Sequence, residues 1–203
     1  MSSRHSVNEF IETNATISEY KLSVIADVIN KTSTSYNLQP FRVDVLEQDV
    51  LANAKQFIYG RQQEHAKVIL VFSSLYAEGA YAPRVWEEHV ADRVEVRQMP
   101  ERYLDAATKN LSNEWSNNQA YIALQPTLNV CESLGLATCP IEGLNKDILQ
   151  ELLDEIHGKD ANKNYQIAYV IAIGYADESV STVKSRMNVV RYAKEPFASF
   201  EEC

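Results

Sequence analysis

The chain has 203 residues, of which 45% are hydrophobic and 23% are charged, and its formal net charge is −9. These values are typical of a single globular domain and argue against disorder, and the negative charge argues against nucleic acid or an anionic membrane as a partner. No apolar run reaches the roughly 18 residues that a membrane span needs, and the first residues lack the apolar core of a signal peptide, so we expect a cytoplasmic protein without membrane contact.

The first half of the chain predicts helices and strands in alternation. A short helix over 2–14 and an amphipathic helix over 17–30 precede a strand over 41–45, in which apolar and polar residues alternate. A helix over 49–59 and a continuous apolar strand over 68–72 follow.

The second half is dominated by a long, mostly apolar helix over 115–134, which Pro126 should bend. Its apolar character indicates burial in the core or in a dimer interface. A helix over 147–156, a buried strand over 168–173 and a polar tail over 179–203 complete the chain. Few strands interspersed with several helices predict one α+β domain over 1–203, with a small mixed sheet surrounded by helices.

Cysteine and histidine residues predict neither disulfides nor a metal site. The three cysteines are an odd number without paired spacing, and the four histidines stand far apart in the sequence. Disulfide frameworks and zinc sites need regular spacings that are absent here. We therefore expect no metal ligand among these residues.

Two short basic segments carry groups that could bind a phosphate. Arg4 and Ser6 precede the first predicted helix, and Lys184 and Arg186 lie in the tail. The second pair would point the same way in an extended segment, because side chains two residues apart lie on one face. Each pair taken alone is more often a capped helix start or a solvated tail.

Two predicted loops carry polar groups and flexible backbone. The run from Ser33 to Pro40 offers several hydroxyl and amide side chains in a loop that proline stiffens, although it could equally be a helix-to-strand connection. In the run from Cys139 to Gly143, glycine lets a ligand come close to the backbone. That run could also simply begin the next helix.

Taken together, the order and spacing of these segments resemble the nitroreductase family of flavoproteins over nearly the whole chain. The loop with Asn37, Gln39 and Pro40 and the loop Pro140–Gly143 carry most of the resemblance. Supporting matches are Arg4-His5-Ser6, Gln119-Ala-Tyr121, Leu134-Gly-Leu136, Ile173-Gly-Tyr175 and Lys184-x-Arg186.

The resemblance implies an intertwined homodimer with an FMN in each of two interface clefts. Basic residues from both ends of the chain would hold the FMN phosphate, the Ser33–Asn37 loop would reach the flavin from the other subunit, and the backbone near Glu142 and Gly143 would approach flavin N5. The implied cofactor-binding residues are Arg4, His5, Ser6, Asn8, Ser33, Thr34, Ser35, Asn37, Gln62, Ile141, Glu142, Gly143, Lys184 and Arg186.

The sequence departs from the family pattern at the positions that would border the flavin pyrimidine. Asn8 and Gln62 stand where relatives often have a cation, and Tyr59 replaces a common asparagine. In a separate departure, Ser33 replaces a proline of the polar loop, which makes that loop less rigid. A cation stabilises the negative charge on N1 and O2 of reduced flavin, whereas an amide carries no charge. We therefore expect a lower flavin reduction potential than in relatives with lysine.

The implied reaction passes hydride from NADH or NADPH through flavin N5 to a nitroaromatic, a quinone or a similar acceptor. One cleft that serves both substrates predicts ping-pong kinetics, and residues 76–113 would form helices over it. A flavin-dependent dehalogenase or dehydrogenase and a non-catalytic flavin-binding dimer remain alternatives, because the fold does not fix the reaction. Candidates for substrate contact, each equally able to be a packing residue, are Tyr76, Tyr81, Arg84, Trp86 and Tyr103.

Overall fold

The computed structural model describes residues 6–79, 82–91 and 111–176. Its four strands are β1 (Phe41–Glu47), β2 (Val68–Leu75), β3 (Ala137–Ile141) and β4 (Tyr165–Gly174). Its helices are α1 (Glu19–Asn30), α2 (Gln48–Asn53), α3 (Ala82–Ala91), α4 (Asn113–Ile122), α5 (Leu124–Ser133), α6 (Lys146–His157) and α7 (Lys159–Asn162). Short 3-10 turns occupy Ser35–Asn37 and Arg61–Gln63.

The strands form one sheet in the order β1-β2-β4-β3, and all three pairings are antiparallel. The sheet was expected to be mixed, but its strands pair only in antiparallel fashion. Among the described residues, a parallel pairing occurs as the isolated bridge between Ser6 and Thr138, outside the named strands. Every residue of β2 is buried, because this central strand is covered on both faces.

Helices cover both faces of the sheet, which gives an α+β fold with two apolar clusters. On one face, α1, α4 and α5 pack on alternate residues of the central strands, such as Leu70 and Phe72. On the other face, α2, α6 and the N-terminal segment pack on the residues between them, such as Ile69 and Val71. The alternation follows from the two-residue period of a strand.

Five predicted elements are confirmed with small shifts of their ends. They are α1, α6, β1, β2 and β4. Ser18 caps α1, since its side chain accepts a hydrogen bond from the backbone N–H of Lys21. Within the described residues, no helix is both long and apolar enough to cross a membrane.

The helix predicted over 115–134 is divided in two at Ala123. Pro126 is the third residue of α5, where a backbone N–H has no partner within the helix in any case. The proline therefore costs α5 no hydrogen bond, and the helix is interrupted three residues before it.

Two helix predictions are wrong. Residues 6–14 are not helical, because Val7 and Phe10 are buried on the sheet and the backbone N–H of Ile11 donates to Tyr175. The helix over 49–59 ends at Asn53. Beyond it, the buried amide of Gln63 accepts from the backbone of Phe57 and replaces helical hydrogen bonds.

Strand β3 was not predicted, since Pro140 and Gly143 suggested a loop. Proline is tolerated because β3 is an edge strand, where a missing N–H breaks no pairing in the interior of the sheet. The strand matters for the site because it delivers Ile141, Glu142 and Gly143 from a rigid element.

Candidate functional site

The N-terminal segment runs beside β3 and brings two predicted cofactor residues to this edge of the sheet. Ser6 is exposed and bridges to Thr138, while the next backbone N–H, of Val7, donates to the Thr138 carbonyl at 3.1 Å. Asn8 is half-buried, and its Oδ1 atom is buried without a hydrogen-bond partner among the described residues. A buried amide oxygen without a partner is costly unless a ligand satisfies it.

An ion pair joins the neighbours of Asn8 and Gln62. Glu9 lies 3.0 Å from the guanidinium of Arg61, which also pairs with Glu64 at 3.2 Å. Since Glu9 follows Asn8 and Arg61 precedes Gln62, the two amides that the sequence analysis assigned to one flavin edge belong to segments in contact. The hydrogen bond to Glu64, followed by the charges of Glu64 and Glu9, raises the pKa of Arg61, so this cation is permanent.

The same segment contacts the loop after β3. Ile58 forms a bridge with Leu144, and the backbone N–H of Tyr59 donates to the Gly143 carbonyl at 3.3 Å. The structure therefore brings three predicted regions together: the region around Asn8, the region of Tyr59 and Gln62, and the Glu142–Gly143 loop.

The conformation of the protein does not itself require a glycine at position 143. Its φ is not among the positive values, and an added Cβ would meet only Tyr59 Cδ2, at an ordinary 3.9 Å. Glycine at this exposed position instead leaves the backbone open on one side. Such a position suits the close approach of a flat ligand.

Tyr121 on α4 holds the side chain of Glu142. Its hydroxyl donates to Glu142 Oε1 at 2.7 Å, and its ring lies 4.7 Å from the buried ring of Tyr169. Burial, and then the hydrogen bond and charge of Glu142, raise the pKa of Tyr121 well above its usual value. The hydroxyl therefore keeps its proton and acts as a permanent donor rather than as an acid.

The loop before β1 is strained and held from α4. Tyr36, Asn37 and Gln39 all have positive φ, a conformation that costs side-chain-bearing residues energy. Two buried or half-buried side chains hold the loop in place. Gln119 accepts from the backbone of Ser35 at 2.8 Å, and Thr34 accepts from the backbone of Gln39 at 2.9 Å.

The contacts that Gln119 and Tyr121 make with the two predicted cofactor loops were not predicted from the sequence. The Gln119-x-Tyr121 motif supports the family resemblance, but the motif alone assigns neither side chain a role. The two residues lie on α4, and each reaches a different predicted cofactor loop. A polar side chain in a helix predicted to be buried needs a hydrogen-bond partner, and this could have indicated such contacts.

Within one chain, the two predicted cofactor loops lie at opposite edges of the sheet. The Ser33–Asn37 loop leads into β1, and Gly143 follows β3, which are the outer strands. Three strand spacings separate these strands, roughly 14 Å. Ser33–Asn37 and Gly143 are therefore not in contact within a single chain.

Among the candidates for substrate contact, Trp86 is a packing residue. It is 4% exposed, lies 5.9 Å from the ring of Trp115, and donates to the carbonyl of Tyr76. Tyr76 is partly exposed and Arg84 pairs with Glu88 on the surface of α3. The remaining predicted residues lie outside the described ranges, namely Arg4, His5, Tyr81, Tyr103, Lys184 and Arg186.

Known proteins resemble the chain over most of its length. YfkO of Bacillus subtilis, assigned as an NAD(P)H nitroreductase, is 24% identical over 192 residues, which cover 85% of each chain. The major NAD(P)H-flavin oxidoreductase of Aliivibrio fischeri is 26% identical over 191 residues, covering 84% of this chain and 85% of that protein.

The fold is also found among solved structures. A protein of Exiguobacterium sibiricum 255-15, assigned as a nitroreductase and solved in complex with FMN, matches with a TM-score of 0.63. It is 21% identical, and the match covers 85% of this chain and 84% of that one. The family model described as the nitroreductase family matches residues 1–175. Since that match spans most of the sequence, the chain belongs to the nitroreductase family.

Proposed function

We propose that this protein is an FMN-dependent oxidoreductase that takes hydride from NADH or NADPH and passes it to a small acceptor such as a nitroaromatic or a quinone. The observation that carries the proposal is that the segments carrying Asn8, Gln62 and Glu142–Gly143 contact one another at one edge of the sheet. Sequence motifs alone assigned these three regions to one cofactor, and they lie far apart in the chain.

The described residues fit a flavin at this place. The buried Oδ1 of Asn8 has no hydrogen-bond partner in the part of the chain that the structure describes, and it would pair with a polar atom of the ring edge. Gly143 has an open backbone that the protein's own packing does not explain. An amide at Asn8 can serve as acceptor or donor by rotating its end group, which suits the mixed donors and acceptors of a pyrimidine.

When bound, FMN supplies hydride transfer through its N5 atom. The protein's part would be to bind and orient the ring: Asn8 and Gln62 would offer amides to its polar edge, and the backbone at Glu142 and Gly143 would lie against its reacting edge. At Glu142 the chain offers a tyrosine hydroxyl that is already engaged with the carboxylate, so solvent would supply the protons. One cleft would serve both substrates in turn, as in a ping-pong reaction.

The proposed cleft is shared between two subunits. In one chain the Ser33–Asn37 loop is separated from Gly143 by the width of the sheet, so a partner's loop would complete the site. The protein would then be a homodimer. Size in solution tests this: light scattering should give twice the monomer mass at micromolar concentration, and a monomer that still binds FMN would contradict it.

The decisive experiment uses the colour of the purified protein. It should be yellow after incubation with FMN and desalting, and it should bleach when NADPH or NADH is added without oxygen. A colourless protein that does not retain FMN would contradict the proposal, and a yellow protein that neither nucleotide bleaches would leave only flavin binding. Arg186→Ala should weaken FMN binding, if this residue holds the phosphate as the family motif implies.

A further inference from the structure

We propose that Tyr121 is a positioning residue that keeps the negative charge of Glu142 away from the nucleotide-binding face of the site. The inference rests on the proposed function and names a residue to which the family motif gave no role. It starts from the single hydrogen bond, 2.7 Å long, between the Tyr121 hydroxyl and Glu142 Oε1.

Glu142 is an exposed carboxylate placed directly before Gly143. Among the described residues, Tyr121 is the hydrogen-bond partner of its side chain. Without this partner, the carboxylate could rotate over the open backbone of Gly143, where the cofactor and then the nicotinamide would approach. A carboxylate there would repel a dinucleotide, which carries negative phosphates.

The charges on the rest of the chain do little to offset such repulsion of the nucleotide. The net charge is −9, so the protein gives an anionic substrate little general attraction. Arg61, the cation described at this edge, already pairs with Glu9 and Glu64. Holding the Glu142 carboxylate against α4 is therefore a local means of limiting repulsion.

Tyr121 is well suited to hold a carboxylate because its own position is fixed. Its ring packs against the buried ring of Tyr169, with 4.7 Å between the ring centroids. The raised pKa of Tyr121 keeps the hydroxyl protonated through the neutral and mildly alkaline range. The donor is thus always available to Glu142.

The test compares Tyr121→Phe with wild type in the FMN-loaded protein. The variant keeps the ring and loses the hydrogen bond. We expect KM for the reducing nucleotide to rise by about 3- to 10-fold, the order of effect of one extra charge several ångströms away in a partly solvated site. We expect kcat and the Kd of FMN to change by less than about 2-fold, and the ratio of variant to wild-type KM to shrink at high salt.

Two further variants separate positioning from general damage. Tyr169→Phe loses a neighbouring tyrosine hydroxyl in the same stack without touching Glu142, so its KM should stay at the wild-type value. In a Glu142→Gln background, which has no charge to position, Tyr121→Phe should leave KM unchanged. Both results together would establish that Tyr121 acts through the charge of Glu142.

The inference is overturned if Tyr121→Phe leaves KM unchanged, if Tyr169→Phe raises KM equally, or if the effect persists in the Glu142→Gln background. These outcomes differ from a failure of the proposed function. In that case the wild-type protein itself would not hold FMN or would not be bleached by a reduced nicotinamide nucleotide.

Discussion

The strained loop before β1 should depend on one buried amide. Gln119 is 4% exposed, and its Oε1 accepts from the backbone N–H of Ser35. In Gln119→Leu the volume is nearly kept but this acceptor is lost. An N–H left without a partner costs about 1–3 kcal/mol, and the lower half of that range applies because Ser35 is only half-buried.

The same substitution should also release strain in the loop. The positive φ angles of Tyr36, Asn37 and Gln39 cost on the order of 1 kcal/mol each, so the loop keeps its shape only while its hydrogen bonds and the burial of Leu38 outweigh about 3 kcal/mol. Losing one hydrogen bond of about 1 kcal/mol shifts that balance toward relaxed conformations. If the loop contacts FMN, the Kd of FMN should rise about 5-fold, since 1.4 kcal/mol is a factor of ten and 1 kcal/mol is a factor of about five.

Urea unfolding of the FMN-free protein and titration of flavin fluorescence measure the two effects, at one fixed protein concentration because a dimer's stability depends on it. Gln125→Leu is the matched control: Gln125 is an exposed glutamine on the neighbouring helix α5, bonded to Asn129. It should lose less than about 0.5 kcal/mol and keep its Kd. An unchanged Kd in Gln119→Leu, or equal losses in both variants, would refute this reasoning.

Further predictions separate function from stability. Gly143→Ala should unfold at nearly the wild-type urea concentration, because the new methyl group meets only Tyr59 among the described residues, at 3.9 Å, but it should bind FMN at least about 10-fold more weakly. Gly135→Ala, where φ is +70°, should show the reverse: its free energy of unfolding should fall by about 1 kcal/mol while the Kd of FMN stays unchanged. A stable Gly143→Ala variant with wild-type affinity would remove Gly143 from the site. Burial raises the pKa of the Cys131 thiol to about 12 from 9.0, so it favours folding fully below pH 9 and loses that contribution as pH rises from 9 toward 12. Wild type should therefore lose roughly 1 kcal/mol more than Cys131→Ala between pH 8 and pH 10 in urea unfolding, and equal losses would contradict the shift.

The helices and strands whose hydrophobic pattern reflects burial against the sheet could be predicted from the sequence. The apolar runs of β2 and β4 and the amphipathic spacing of α1 and α6 record which side faces the core, and a local pattern is enough to predict them. The candidate site was predicted in a different way, from loop motifs that resemble those of a known family.

What the sequence did not predict depends on contacts between distant residues. The segment 6–14 has helical spacing, but the sheet offers Phe10 a closer fit: a Cβ at Gly174 would lie 2.8 Å from its ring, so glycine there makes room for it. The segment after α2 leaves the helix because Gln63, ten residues beyond Asn53, satisfies its backbone. Neither partner can be inferred from local spacing.

The docking of the N-terminal segment also sets the order in which the protein can be completed during synthesis. The backbone of Ile11 bonds to Tyr175, and the central pair of strands joins residues 68–75 to residues 165–174. Pairings across such long stretches of chain form slowly, and on the ribosome they cannot form until β4 has emerged. The segment of Asn8 is therefore made well before the residues on which it docks, so this edge of the candidate site can form only on a chain translated at least through residue 175.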